Sequence, residues 1–136
     1  MKANELMIGD YIRIVDDYTD RSFVSQVEAI DELGNVFCKY PEDTVAYPCS
    51  GDCCEPIHLT PEILEKNGFG YKEEDIICTH YYLGNPHFVA DSALHIGTRD
   101  NVFWLNYCNN SIYNIRFVHE LQHALRICGI DKEITI

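Results

Sequence analysis

The residues best suited to catalysis stand near the C-terminus, in the segment His119-Glu120-Leu121-Gln122-His123. This segment matches H-E-x-x-H, in which two histidines one helical turn apart bind zinc and the glutamate activates the metal-bound water. One hypothesis is therefore a zinc-dependent hydrolase. In it, His119 and His123 are the metal ligands and Glu120 is the catalytic general base.

A catalytic zinc site also needs a third protein ligand beside an open position for water. The metzincin spacing is excluded, because Arg126 and Gly129 stand where that family has a glycine and the third histidine. Glu133 follows the motif closely, and Cys108 or Cys78 would have to reach it from upstream. The sequence supplies no definite third ligand.

The flanking residues give the motif a second interpretation. On a helical projection that starts at Ile115, His119 and His123 fall opposite an apolar side, and Arg116 and Arg126 fall beside them. Two positive charges oppose a dication at that place. The motif is then the polar face of an amphipathic helix whose apolar side consists of Val118, Leu121, Leu125 and Cys128.

A second group of soft ligands lies in the segment 48–55. Cys49, Cys53 and Cys54, followed by His58, could form part of a tetrahedral zinc site, although paired C-x-x-C knuckles are absent. An oxidisable cysteine pair and free thiols are the alternatives. We expect reduced thiols, because the seven cysteines have no regular spacing and the N-terminal segment has no secretion signal.

Aromatic residues make up 12% of the chain, and Tyr81 and Tyr82 are adjacent. In a strand their rings point to opposite faces, so we expect one of the two rings to lie on a solvent-exposed face of the sheet. Tyrosine on an exposed sheet is well suited to recognition. We therefore name Tyr81 and Tyr82 as an interaction surface, whereas Phe88, Phe103 and Trp104 are expected to pack within the fold.

Short strands separated by turns must position the N-terminal residues. The alternation of apolar and polar residues predicts strands at 11–15, 23–30, 36–40 and 44–47, with a turn at 32–35. This pattern indicates a small SH3-like β-barrel.

The remainder of the chain predicts two helices around an antiparallel sheet. Thr60 as the N-cap, Pro61 at the first helical position and Asn67-Gly68 at the end mark a short linking helix. Strands follow at 76–83, 87–90, 93–97 and 102–107, then a loop at 109–111 and a helix at 115–128.

Three blocks of sequence carry a resemblance: MKANELMIGDYI, PIHLTPEILEKNGF and IRFVHELQHALRICGIDKEI. Together they cover about a third of the chain and resemble uncharacterised small proteins of gut Bacteroidetes and their phages or mobile elements. The resemblance implies no activity. It also implies that Glu120 and His123 are not family features, since relatives often carry a V-H-Q-L-Q type of segment there.

Charge restricts the classes of partner. The chain has a net charge of −12, and residues 1–75 carry seventeen acids and six bases, a net −11. Such a surface repels nucleic acid and anionic membranes and favours a basic protein partner. No segment reaches the ~20 apolar residues of a membrane span, and we expect a cytoplasmic protein.

The sequence thus predicts an α+β protein of one compact unit, with lobes at 1–59 and 60–136. The first lobe is the barrel, and the second holds the linking helix, the sheet and a C-terminal amphipathic helix packed on it. The favoured function is a non-enzymatic binding or accessory protein without cofactor, and the alternative is the zinc hydrolase.

Overall fold

The computed structural model describes residues 1–16, 21–84, 94–100, 102–107 and 110–136. The chain divides into two compact units, residues 1–57 and 58–136. The observed boundary lies two residues before the predicted boundary between the lobes. Each unit contains one five-stranded antiparallel sheet.

The first unit is built from five β-strands. Its strands are β1 (Tyr11–Asp16), β2 (Arg21–Ile30), β3 (Val36–Cys38), β4 (Tyr47–Cys49) and β5 (Cys54–Pro56), and a 3-10 turn spans Gly51–Cys53. The spatial order is β4-β3-β2-β1-β5. Within the described ranges β4 and β5 are the two edges, and no closed barrel is found.

Strand β2 is the longest strand of this sheet, and its two ends pair with different neighbouring strands. Residues 21–26 pair with β1 and residues 27–30 pair with β3, with a bulge between Val27 and Ala29. A bulge bends a strand and increases its twist. The buried side chains beneath these strands form one apolar core: Leu6, Ile12, Ile14, Val27, Val36, Cys38, Cys49 and Cys54.

The second unit begins with the predicted linking helix. Helix α1 (Pro61–Lys66) has Thr60 as its N-cap, and the Thr60 hydroxyl accepts a hydrogen bond from the Ile63 N–H at 3.3 Å. After Asn67, Gly68 adopts a φ of +81°, which glycine takes without steric cost. The start and end signals in the sequence are confirmed.

A meander and a C-terminal helix complete the second unit. Its strands are β6 (Tyr71–Glu74), β7 (Thr79–Tyr82), β8 (His95–Arg99), β9 (Val102–Tyr107) and β10 (Asn110–Ile115), followed by α2 (Val118–Ile127). The spatial order β10-β9-β8-β7-β6 follows the chain. The predicted antiparallel sheet and C-terminal helix are therefore present, and α2 contacts β10.

Several predicted boundaries were wrong. The strand predicted at 44–47 lies at Tyr47–Cys49, and β5, β6 and β10 were missed. The strand predicted at 76–83 starts at Thr79, because the hairpin turn takes up the residues before it. Helix α2 starts at Val118 rather than at residue 115, which ends β10. The strand predicted at 87–90 lies outside the described residues.

The two faces of the second sheet differ in burial. Tyr81 pairs with Ile96, and Ile96 pairs with Leu105, and all three side chains are buried on one face. On the other face the Trp104 ring covers Gly97, where an added Cβ would lie 2.4 Å from the indole. The described helices include none long and apolar enough to cross a membrane.

Candidate functional site

Helix α2 carries the H-E-x-x-H segment at its N-terminal end, and this position gives Glu120 a structural task. The N-cap residue Phe117 makes no side-chain capping bond. Instead, the Glu120 carboxylate accepts hydrogen bonds from the backbone N–H groups of Arg116 at 2.6 Å and Phe117 at 3.1 Å. These bonds satisfy donors at the start of the helix. The carboxylate is directed at the backbone.

The two histidines of the motif lie side by side on α2. Their ring centroids are 5.7 Å apart at an interplanar angle of 70°. The prediction that both occupy a polar face was wrong for His119, which is only 5% exposed because its ring stacks on Phe117 at 5.7 Å. The predicted apolar side is confirmed for Val118, Leu121 and Leu125.

A third metal ligand does not join these histidines within the described ranges. No Asp, Glu or Cys there forms a metal-binding group with His119 and His123. Of the predicted third ligands, Cys78 belongs to a different cluster, and Cys108 lies outside the described residues. The zinc hydrolase stays a hypothesis without a third ligand in the described part of the chain.

The predicted cysteine loop is largely a piece of the first core. Cys49 ends β4 and Cys54 begins β5, and both side chains are buried together with Cys38. Burial raises the pKa of Cys38 to about 12 and that of Cys54 to about 11. These shifts disfavour the thiolate form that binds metals and attacks disulfides.

The other two residues of the loop hypothesis lie elsewhere. Cys53 is half-buried in the 3-10 turn, with its Sγ 3.3 Å from the Ser50 hydroxyl oxygen. His58 belongs to the second unit, where its ring packs on Phe117 at 5.1 Å. No disulfide joins any two of the six described cysteines, which exclude Cys108.

The first unit has an open groove that the sequence did not reveal. It lies beside the aromatic pair Phe23 and Tyr40, whose ring centroids are 4.9 Å apart, and it encloses about 550 Å³. Tyr47 meets Tyr40 edge-on at 6.0 Å. The groove is lined by Asp16, Arg21, Ser22, Phe23, Tyr40, Pro41, Glu42 and Asp43.

A second depression adjoins the first at Tyr40. This smaller depression of about 160 Å³ shares Tyr40 and Asp16 with the first and extends to Cys53. A tyrosine hydroxyl is neutral at physiological pH and can donate a hydrogen bond, and burial and the nearby Asp16 carboxylate raise the pKa of Tyr40 further. We call the two depressions together the Tyr40 groove.

The charges along the Tyr40 groove are mostly negative. Asp16, Glu42 and Asp43 contribute carboxylates, and Arg21 is the one cation among the described lining residues. Together with the aromatic rings, these carboxylates form a surface that attracts cationic groups. The signal in the sequence was the acidic N-terminal half, but its convergence with Phe23 and Tyr40 depends on the fold.

The β6–β7 hairpin gathers a second polar cluster, which we call the hairpin cluster: Asp75, Cys78 and His80. Cys78 Sγ lies 3.1 Å from His80 Nε2 and 3.2 Å from Asp75 Oδ2, and Asp75 Oδ2 lies 3.6 Å from His80 Nε2. Of these three residues only Cys78 was a predicted site residue, as a third ligand of the zinc site. The spacing D-x-x-C-x-H was a visible signal, but the predicted strand at 76–83 concealed the turn.

The predicted interaction surface at Tyr81 and Tyr82 divides between the two faces of the sheet. Tyr81 is buried, with 3% exposure. Tyr82 is half-buried on the opposite face, where its ring stacks on His95 at 5.0 Å and its hydroxyl donates to Glu73 Oε2 at 3.1 Å. Of the pair, only Tyr82 contributes appreciable accessible surface.

Comparison of the chain with protein families, curated proteins and solved structures gives no match. The geometry of these sites is therefore the basis for a functional proposal.

Proposed function

We propose that the protein is a non-enzymatic binding protein whose first unit recognises a Lys- or Arg-rich segment of a partner protein. The observation that carries the proposal is the Tyr40 groove, in which two aromatic rings in contact, tilted by 37°, lie among three carboxylates. Its larger depression, of about 550 Å³, falls within the ~300–1,000 Å³ of ordinary ligand sites.

The chemistry of the lining favours a cation over other ligands. Faces of Phe23 and Tyr40 attract Lys and Arg side chains, and Asp16, Glu42 and Asp43 supply charge-assisted acceptors. Tyr40 is 38% exposed and Tyr47 45% exposed, so the aromatic area is accessible. Phosphate-bearing ligands are disfavoured by the carboxylates and by the net charge of −12.

The shape of the groove favours an extended segment. The two depressions share Tyr40 and Asp16, so a chain that passes over Tyr40 could reach both. Successive side chains of an extended peptide point in opposite directions, so two cationic residues separated by one position point the same way and could enter the two depressions.

We also propose that the first unit is an SH3-like barrel that stays open, so that its five strands form one sharply bent sheet. The strand order β4-β3-β2-β1-β5, the bulged β2 shared by both halves and the 3-10 turn before β5 support this arrangement. The fold alone does not imply a ligand. An origin in phages or mobile elements, which the terminal sequence blocks suggest, stays a prediction.

Fluorescence anisotropy with labelled peptides tests the proposed function. A Lys/Arg-rich peptide should bind the full-length protein, a Glu-rich peptide of equal length should not, and added salt should weaken the affinity. A Glu42→Gln, Asp43→Asn double variant should weaken binding about three- to tenfold, as expected for loss of two exposed ion pairs.

The matched control removes the same charge from the second unit. Glu65 and Glu133 are exposed, and a Glu65→Gln, Glu133→Gln variant should retain the wild-type affinity within about twofold. If both double variants weaken binding equally, the attraction is non-specific and the groove is not the site. Absence of binding by any cationic peptide would also overturn the proposal.

A further inference from the structure

The hairpin cluster has the donor atoms and the separations of a metal site. Ligands arranged tetrahedrally on zinc, with Zn–S of about 2.3 Å and Zn–N or Zn–O of about 2.0 Å, lie about 3.3–3.6 Å from one another. The three observed separations, between Sγ, Nε2 and Oδ2, are 3.1, 3.2 and 3.6 Å. Shifts of about 0.5 Å or less would admit the ion.

The fold positions each of these donors. Asp75 Oδ1 accepts hydrogen bonds from the backbone N–H groups of Ile77 at 2.6 Å and Cys78 at 2.8 Å, which directs Oδ2 toward the sulfur. Cys78 directly precedes β7 and His80 is its second residue, and the distance of 3.1 Å between Sγ and Nε2 places their side chains on the same side. All three donors come from six consecutive residues, so little chain entropy is lost in bringing them together.

A catalytic cysteine triad would need a different geometry. In such a triad the acidic residue holds the ring nitrogen that faces away from the nucleophile, whereas here Asp75 and Cys78 both face Nε2 of His80. Burial and the hydrogen bond with Asp75 raise the pKa of Cys78, so its thiolate forms only where a bound cation displaces the proton. In the metal-free protein the three side chains are held together by the Cys78–Asp75 and Cys78–His80 hydrogen bonds, and a metal ion would replace these contacts.

We propose that Asp75, Cys78 and His80 form a binding site for a divalent transition-metal ion of the zinc class. A thiolate, an imidazole and a carboxylate together suit zinc better than magnesium or calcium, which prefer all-oxygen sites. The side chain of Asp75 is 53% exposed, so a water molecule can occupy the fourth position. This inference does not depend on the proposed function of the first unit.

The surrounding charges are compatible with a cation. Glu73 pairs with His80 across β6 and β7 and adds a carboxylate on the same face of the sheet, whereas Glu74 is in register with Thr79 and pairs with Lys72 at 3.1 Å. Arg99 on β8 carries a positive charge that is close enough to affect Cys78 and would repel a metal ion. Its side chain is 60% exposed and contacts Asp100 at 3.4 Å, which limits its repulsion of a metal ion.

Cobalt(II) and zinc(II) titrations of the reduced, chelator-treated full-length protein test the site. Cobalt should bind at about one equivalent and give a thiolate-to-cobalt charge-transfer band that zinc abolishes. Cys78→Ser should remove the band, and Cys78→Ser and His80→Gln should each weaken zinc affinity more than about tenfold, since even residues that merely orient ligands have effects of that size.

Asp75→Asn provides a variant that should fold even if the others do not. Asparagine keeps an oxygen that accepts the Ile77 and Cys78 N–H groups, so the turn remains while the anionic ligand is lost. It should also weaken zinc affinity more than about tenfold. Circular dichroism that matches the wild type would show that lost affinity is not lost folding.

Two control variants separate this site from the other candidate ligands. Cys53→Ser and the His119→Ala, His123→Ala double variant should keep the cobalt band and the zinc affinity. The inference is overturned if the folded protein binds neither cobalt nor zinc at ion concentrations of about 100 micromolar. It is also overturned if metal binding survives both Cys78→Ser and Asp75→Asn. Loss of binding only in the histidine double variant would instead favour the zinc hydrolase hypothesis.

Discussion

The Glu120 carboxylate accepts the backbone N–H of Phe117 at 3.1 Å, so the glutamate of the H-E-x-x-H segment caps the helix that carries it. The same carboxylate oxygen accepts the Arg116 N–H at 2.6 Å. A residue that resembles a catalytic base in the sequence thus has a conformational explanation. Phe117, the N-cap, makes no side-chain capping bond, so Glu120 supplies the half of a capping box that satisfies the N–H of the N-cap residue itself.

Glu120→Ala should lower the free energy of unfolding by about 1 kcal/mol, the usual effect of losing a helix cap. Urea denaturation followed by circular dichroism measures this change. Glu133→Ala removes an exposed carboxylate from the same unit and should change stability by less than about 0.5 kcal/mol. Equal stabilities of the two variants would contradict the capping role.

Gly97→Ala should destabilise the second unit by about 1–3 kcal/mol, because the added Cβ would lie 2.4 Å from the Trp104 ring and force it to move. Trp104 is the single tryptophan, so its emission spectrum reports the displacement directly. Gly70 is the matched control, since a Cβ there meets nothing within 4 Å. A Gly97→Ala protein with wild-type emission and stability would show that the ring does not need glycine beneath it.

Cys38 and Cys54 should resist alkylation in the folded protein at pH 8. A thiol with a pKa of about 12, as for Cys38, is ionised to only about one part in 10⁴ at that pH, against roughly a quarter for an ordinary cysteine. Mass spectrometry after brief iodoacetamide treatment would locate the modified residues. Rapid modification of Cys38 or Cys54 without denaturant would contradict their place in the core.

The same pKa shifts predict a loss of stability in alkali. Because burial raises the folded pKa of Cys54 from 9.0 to about 11, the stabilising protonated form is fully present below pH 9. The contribution disappears as the pH rises from 9 toward 11. Cys54→Ala should therefore flatten the stability profile over that interval in urea titrations.

Local signals predicted the parts of the fold that depend on neighbouring residues. The Thr60 cap with Pro61 located α1, and the alternating run at 102–107 coincides with β9. These elements form where short-range chemistry and the final packing agree.

The predicted strand bounds and burial are wrong where contacts with other parts of the structure determine the conformation. Ile76 and Ile77 extended an apolar run, yet they are 104% and 63% exposed, because the Asp75 carboxylate holds them in a turn. The polar start of β10 predicted a loop, but pairing with β9 makes it a strand. His119 is buried by the ring of Phe117, whose position on the helix end the periodic pattern did not indicate.

The candidate sites were even less accessible to sequence reasoning. The Tyr40 groove joins residues from β2 and from the segment after β3, and their proximity follows from the pairing of those strands. The hairpin cluster is local in sequence, but it depends on a turn whose position was predicted incorrectly.

The most direct test of the central claim is to map where a Lys/Arg-rich peptide binds. Two-dimensional ¹H–¹⁵N NMR of the full-length protein during a peptide titration would give the shift of each backbone amide. We predict that the largest changes occur at Phe23, Tyr40 and Asp43, and that amides of α1 and α2 remain unchanged. Changes confined to residues 58–136, or no saturable change at all, would contradict recognition by the Tyr40 groove.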